Sequence, residues 1–291
     1  MGRICRFLIN EGVLEKNRIV EPLEALKDDL LVVHPESYLD CLKSSIKVSM
    51  VIEVPPVAAF PNCLVQQKVL RPFRMQVGGS ILAAKLAFER GWSINVGGGF
   101  HHCSANKGGG FCAYADISLC IKYAFVRLNI SRVIIIDLDA HQGNGHATDF
   151  CDERVYILDM YNSEIYPLDY EARRYIDQKL ELVSGTRTQE YLELLDKALK
   201  VAKNKFDPEM VIFNAGTDIL DGDPLGNLKV SPDGVVMRDE MVFRFAKEAS
   251  IPIVMLTSGG YTKFSARVIA DSIINLSRKG LIDLGASISK Q

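Results

Sequence analysis

Short apolar runs rich in Val and Ile recur along the chain, and each ends at a glycine, an aspartate or another small polar residue. The runs cover residues 93–96, 133–136, 155–158, 210–213 and 251–256. Apolar residues at three- and four-residue spacing predict helices over 80–90, 189–203, 232–249 and 262–276. Uninterrupted apolar strands that alternate with helices are typical of a parallel sheet covered on both faces. The sequence therefore predicts an α/β fold with three layers, α/β/α, around a mainly parallel sheet.

No linker rich in proline, serine or charge divides the 291 residues, so we expect one domain that spans 1–291. The 34 basic and 36 acidic residues give a net charge of −2. Binding to nucleic acid rests on concentrated positive charge, and we therefore expect no direct contact with it. No segment has the length of a membrane span, and the cysteine spacing matches neither a disulfide framework nor a thiolate zinc site.

The unusual polar residues follow the predicted strands. His101 and His102 come after the first glycine-rich turn, and the run from Asp137 to His141 follows the second strand. Asp218 follows the fourth strand and Tyr261 follows the fifth. Because the carboxyl ends of parallel strands meet at one edge of a sheet, we expect these side chains to converge there.

Asp139, His141 and Asp218 combine two carboxylates with an imidazole. Such ligands suit Zn²⁺, and three protein ligands leave a fourth position open for water or substrate. Any one of these residues alone is better explained as a helix cap or a core histidine. All three together at strand ends predict a metal site.

Four of the five histidines lie between positions 101 and 146. The adjacent pair His101 and His102 has the chemistry to hold and pass protons at neutral pH. Tyr261 follows two glycines and has a hydroxyl that can stabilise a developing oxyanion. We expect no chemical role for His146, and we expect His34, which precedes a proline, to be a turn residue.

Four motifs together resemble those of a known family. They are the run of glycines before the histidine pair (95–102), Asp-Leu-Asp-Ala-His-Gln-Gly-Asn-Gly (137–145), Asn-Ala-Gly-Thr-Asp (214–218) and Ser-Gly-Gly-Tyr (258–261). The chain is similar to the zinc-dependent histone deacetylases of the arginase/deacetylase superfamily over about residues 29–282. The sequences of 110–116 and of 217–223 resemble those of the class IV, histone deacetylase 11-like branch.

The resemblance implies a role for each matching residue. Its metal ligands are Asp139, His141 and Asp218, which would bind one catalytic Zn²⁺. The resemblance makes His102 the general base and then the acid, with His101 as its electrostatic partner.

Further implied roles concern the surroundings of the metal. Asp137 would support His101, and Tyr261 would polarise the acyl carbonyl. The channel for the acyl-lysine stem would be lined by Gly110, Phe111 and Tyr166. A potassium ion is implied near Asp137, Asp139, His141 and Asp159.

The chain departs from the family pattern at several points. Asn144 stands where class I enzymes have an aspartate behind the second histidine, and Leu168 stands where relatives usually have glycine. Gly143 replaces the carboxylate that arginases use for a second metal, so we expect one metal ion. We also expect the chain to lack the N-terminal strand and loop that shape the pocket rim of relatives.

The resemblance implies a lysine deacylase that hydrolyses acetyl- or longer-chain acyl-lysine amides in histones or other proteins. It further implies corepressor partners, a role in transcriptional regulation, and a location in the nucleus or cytoplasm. Two alternatives stay open on the sequence. One is a non-catalytic corepressor scaffold with the same fold, and the other is an amidohydrolase that acts on acetylated polyamines.

Overall fold

The computed structural model of the chain describes residues 2–285, and its centre is a six-stranded sheet. The strands are β1 (Trp92–Asn95), β2 (Val133–Asp137), β3 (Val155–Asn162), β4 (Gln178–Leu182), β5 (Met210–Asn214) and β6 (Ile253–Leu256). They lie in the order β1-β6-β5-β2-β3-β4, and every neighbouring pair runs parallel. The predicted parallel α/β fold is confirmed. Position 1 and positions 286–291, which the predicted domain also includes, lie outside the described residues.

Helices connect the strands and cover the sheet. They are α1 (Gly2–Asn10), α2 (Lys27–Leu30), α3 (Glu36–Cys41), α4 (Ser45–Val51), α5 (Asn62–Val65), α6 (Arg71–Arg90), α7 (Asp116–Arg127), α8 (Asn144–Asp149), α9 (Thr188–Lys205), α10 (Pro232–Glu248) and α11 (Ser265–Arg278). Among residues 2–285, none of the helices combines the length and the apolar character that crossing a bilayer requires.

Alternate residues of the central strands point into two separate apolar cores. Ile134 and Ile136 of β2 pack with helices α9, α10 and α11, whereas Val133 and Ile135 pack with α6 and α7. Because side chains alternate between the faces of a strand, a run of consecutive apolar residues fills both cores at once. The three-layer α/β/α prediction is confirmed.

No apolar run in the sequence predicts β4. Along this strand, exposed Lys179 and Glu181 alternate with the partly buried Gln178 and Leu180, and of its residues only Leu182 is fully buried. β4 pairs only with β3 and lies at the edge of the sheet. An edge strand that carries charges is protected from pairing with other chains, and its alternating pattern differs from that of the buried strands.

Helix α6 begins at Arg71, well before the N-cap that the sequence places at Ser80. Ser80 lies inside the helix, where its hydroxyl donates to Asp116 Oδ2 at 2.5 Å. The nearby Gly78 does not end the helix. A Cβ there would lie 1.9 Å from the carbonyl oxygen of Leu23, so glycine allows the N-terminal segment to approach the helix closely.

A third apolar cluster lies between helices α3 to α5 and the loop of residues 103–115. His34, which is 1% exposed, connects the segment that precedes α3 to this loop. Its Nδ1 donates to the Ala105 carbonyl at 2.8 Å, and its Nε2 accepts from the Ala115 N–H at 3.0 Å. His34 lies in the turn between α2 and α3, as expected, and its side chain in addition fixes both ends of this loop.

His34 should make folding stability depend on pH. Burial lowers the pKa of His34, so the unfolded state takes up a proton first as the pH falls below about 6.5. Neutral His34 contributes its full share to the free energy of unfolding above that pH. Below it, this contribution falls by at most about 1.4 kcal/mol for each pH unit. We expect the stability advantage of wild type over His34→Gln to shrink between pH 7.5 and 5.5 in thermal unfolding. Parallel pH profiles for the two proteins would contradict this.

Candidate active site

The carboxyl ends of the central strands bring the predicted polar residues together. Asp137 ends β2, where it is in register with Asn214 of β5 and with Asp159 of β3. The turn after β2 carries Asp139 and His141. A cavity of about 270 Å³ opens at this edge, and its lining includes His101, His102, Gly110, Phe111, Asp139 and Tyr261.

Asp139, His141 and Asp218 form a buried cluster. Their ligand atoms all lie within 4.8 Å of one another. His141 Nδ1 is 3.1 Å from Asp139 Oδ1 and 2.8 Å from Asp218 Oδ2. Burial opposes the charge on His141, but the two carboxylates raise its pKa to about 10. Burial and the neighbouring Asp139 raise the pKa of Asp218 to about 7.

The structure fixes the orientation of both carboxylates. Asp139 Oδ2 accepts from the Ser258 hydroxyl and from the Gly259 N–H, both at 3.1 Å. Asp218 Oδ1 accepts from the Ala140 N–H at 2.9 Å. One oxygen of each carboxylate is thus held by the protein, and the other faces His141. Two crowded carboxylates and one imidazole are a donor set that a divalent cation would neutralise and hold.

His101 and His102 differ in their partners. His101 Nδ1 donates to Asp137 Oδ2 at 2.9 Å. Burial opposes the charge on His101, but Asp137 and Asp139 raise its pKa to about 9. Burial and the nearby positive charge of His101 hold the pKa of His102 well below its usual range. One histidine is therefore protonated at neutral pH and the other is neutral.

Asn144 sets the tautomer of His102. The Asn144 amide nitrogen donates to Asp169 Oδ2 at 3.2 Å, and its oxygen lies 2.8 Å from His102 Nδ1. An amide oxygen only accepts, so the proton of neutral His102 lies on Nδ1 and the lone pair on Nε2. Asn144 thus orients the ring, and as an amide it does so without sharing a charge.

The predicted channel residues lie around His102 and Tyr261. The rings of Tyr166 and His102 meet edge to face, with centroids 4.9 Å apart, and those of Phe111 and Tyr261 are 6.0 Å apart. A Cβ on Gly110 would lie 2.4 Å from His102 Cδ2, so only glycine lets this loop pack against the imidazole. Phe111 and Tyr261 thus line the cavity itself, and Tyr166 lies next to it against the His102 ring.

Leu168, which stands where relatives usually have glycine, adopts a left-handed backbone with φ 54°. This conformation costs a residue with a side chain about 1–2 kcal/mol. Leu168 is 44% exposed, so its side chain finds room at the surface.

His146 is the residue of this site that the sequence analysis misses. It is 1% exposed, and its Nε2 donates to Asp137 Oδ2 at 2.7 Å, the same oxygen that accepts from His101. Asn214 Nδ2 donates to the other oxygen of Asp137 at 2.9 Å. His146 therefore helps to hold Asp137 in place, a contact that the sequence does not predict, and the absence of a chemical role for His146 stays a prediction. Its position directly after the motif of 137–145 was the available signal.

A parallel sheet with a histidine pair and an Asp/His/Asp cluster at its carboxyl edge defines the arginase/deacetylase class of α/β fold. The profile of the histone deacetylase domain matches residues 1–276. The chain belongs to the histone deacetylase family, whose members are hydrolases that act on amides.

Individual relatives agree with this assignment. The chain is 73% identical over 282 residues to Histone deacetylase 2 of Arabidopsis thaliana. The aligned region covers 97% of this chain and 73% of that protein. It is 30% identical over 260 residues to an uncharacterized protein of Picosynechococcus, and this aligned region covers 88% of this chain and 83% of that protein. The fold is similar to the crystal structure of a histone deacetylase homologue from Aquifex aeolicus. That similarity has a TM-score of 0.77 at 23% identity and covers 96% of this chain and 77% of the other.

Loss of the His146 contact should destabilise the protein. In His146→Leu, the buried Asp137 carboxylate loses one donor, and a hydrogen bond to a charged group contributes about 1.5–3 kcal/mol. We expect the free energy of unfolding, measured by urea denaturation, to fall by this amount. His146→Gln keeps an N–H donor at similar reach and should recover most of the loss. Equal stability of His146→Leu and wild type would contradict the prediction.

Proposed function

We propose that the protein is a zinc-dependent lysine deacylase. The observation that carries the proposal is the buried cluster of Asp139, His141 and Asp218, of which Asp139 lines the cavity together with His102. The donor set fits Zn²⁺, because each carboxylate directs one oxygen toward His141 and no thiolate or amide intervenes. We also propose that residues 1–291 form a single deacetylase domain.

The three ligands would hold the metal at the floor of the cavity. Bound Zn²⁺ lowers the pKa of water and polarises an amide carbonyl. The oxygens that face away from His141 are held by Ser258, Gly259 and Ala140, so the ligand atoms are oriented before a metal arrives.

His102 is the general base of the proposed reaction. Its Nδ1 proton is committed to Asn144, so Nε2 is free to take a proton from the attacking water. The same atom then delivers that proton to the leaving lysine amine. Burial, together with the positive charge of His101 that Asp137 holds, keeps the pKa of His102 low and the ring neutral before the reaction.

Tyr261 donates a hydrogen bond to the oxyanion that develops on the acyl carbonyl. Burial and the neighbouring Asp139 and Asp218 raise the pKa of Tyr261, so its hydroxyl keeps the proton it must donate. The Tyr261 N–H donates to Asp223 Oδ2 at 2.7 Å, which anchors the backbone of this residue. Phe111 and Tyr166 would flank the aliphatic stem of the acyl-lysine.

We further propose a potassium ion beside Asp137, Asp139, His141 and Asp159. Asp159 Oδ2 accepts from the Gly143 N–H at 2.9 Å, whereas its buried Oδ1 has no hydrogen-bond partner among the described residues. A buried carboxylate oxygen without a donor favours a nearby cation. Such an ion would balance negative charge behind the zinc site.

The finer assignment that we propose is the class IV type, with acetyl- or longer-chain acyl-lysine in histone tails or other proteins as the substrate. It is supported by the motifs of 95–102, 110–116 and 217–223 and by Asn144 behind His102. Corepressor partners and a role in transcriptional regulation, in the nucleus or cytoplasm, are part of the same proposal.

The proposed roles predict two variants with low turnover. We expect His102→Ala to lower kcat about 10²- to 10⁴-fold and Tyr261→Phe about 10²- to 10³-fold on acetyl- and myristoyl-lysine peptides. Tyr123→Phe is the matched control, because Tyr123 packs beside the core on α7 and does not line the cavity. Full activity in both active-site variants would contradict the assigned roles.

The metal assignment predicts zinc-dependent turnover. Purified protein should contain about one zinc ion per chain by elemental analysis. Dialysis against dipicolinate should abolish deacylation, and added Zn²⁺ should restore it. Asp218→Asn should lose both zinc and activity. Undiminished turnover by metal-free protein would contradict the proposed function.

A further inference from the structure

A buried arginine lies behind the metal-binding loops. Arg238 of helix α10 is 0% exposed. Its Nη1 donates to the Leu138 carbonyl at 3.2 Å and also to the Gly216 carbonyl. The guanidinium lies over the ring of Phe213 at 5.6 Å from its centroid. One side chain on a helix thus reaches two separate loops at the edge of the sheet.

These two carbonyls belong to the loops that carry the proposed metal ligands. Leu138 immediately precedes Asp139, and Gly216 lies two residues before Asp218. The rigid planar guanidinium donates several N–H bonds in fixed directions, so it constrains the distance between the carbonyls that it contacts. A flexible ammonium group would constrain that distance less.

The charge of Arg238 is balanced on the side away from the site. Its Nε and Nη2 both lie 2.8 Å from Asp239 Oδ1, and Asp239 Oδ2 accepts from the Ser272 hydroxyl at 2.5 Å. Replacing a buried ion pair with apolar residues of similar volume is often neutral or stabilising. The pair therefore needs an explanation other than stability.

We propose that Arg238 is a positioning residue that sets the spacing of Asp139 and Asp218 and so determines the affinity of the site for zinc. The inference rests on the proposed function, because it takes these residues as metal ligands. Arg238 touches neither substrate nor reacting atoms, and it acts only through the backbone of the two loops.

Three variants test this role. Arg238→Lys keeps a positive charge beside Asp239 but lacks the planar group. The double variant Arg238→Met/Asp239→Leu removes the pair without leaving a buried charge, so it should fold even where a single truncation does not. Ser272→Ala is the matched control, because it removes a hydrogen bond from the same cluster on the side away from the loops.

The measurements are the zinc dissociation constant by chelator competition, the visible absorption of the cobalt-substituted protein, and the unfolding temperature of the metal-free protein. We expect Arg238→Lys and the double variant to bind zinc about 10- to 100-fold more weakly, with an altered cobalt spectrum. Ser272→Ala should change the unfolding temperature and leave the zinc dissociation constant unchanged within error, because its hydrogen bond goes to Asp239 and not to either metal-binding loop.

The outcomes separate the two proposals. Zinc binding by wild type with unchanged dissociation constants in the folded Arg238 variants would overturn the positioning role and leave the deacylase proposal intact. Failure of wild type to bind zinc would overturn the deacylase proposal and, with it, this one. If neither Arg238 variant folds, Arg238 acts in stability and the positioning role is wrong.

Discussion

Four carboxylates buried at one edge of a parallel sheet are the constraint on which the rest of the structure depends. Asp137, Asp139, Asp159 and Asp218 are each at most 1% exposed. A buried charge without partners is strongly unfavourable, so the surrounding structure must supply donors or cations. Histidine rings and the N–H groups of the loops supply them for three of these residues, and Asp159 keeps one oxygen without a donor. The apolar strands and helices provide the burial that makes so polar an edge tolerable.

The sequence predicts the sheet and the place of the site because both depend on local patterns. Consecutive apolar residues identify a strand buried on both faces, as in residues 133–136 and 210–213. Parallel topology then brings the residues after those strands to one edge. This placement unites Asp139 with Asp218 across 79 positions of sequence without any knowledge of side-chain packing. The ligand types, two carboxylates and one imidazole, then predict a metal site at that edge.

What the sequence does not predict depends on partners far along the chain. His34 contacts residues 71 and 81 positions away, and Arg238 contacts a carbonyl 100 positions away. Nothing adjacent to either residue in the sequence distinguishes it from a turn histidine or a surface arginine. The contact of His146 is not predicted for a related reason. Its partner Asp137 is already assigned to His101, and no sequence pattern indicates a carboxylate oxygen that accepts hydrogen bonds from two imidazoles. The edge strand β4 is missed because its exposed charges conceal its pairing.

Two segments from different parts of the chain pack around His102, and both approach its ring closely. The loop of Gly110 and Phe111 is anchored by His34, behind the sheet edge. The segment of Tyr166 continues into Asp169, whose backbone exchanges hydrogen bonds with the Gln142 side chain. Asp169 Oδ2 also accepts from Asn144, the residue that orients His102. Asp169 thus connects the segment of Tyr166, through Asn144, to the orientation of the His102 imidazole.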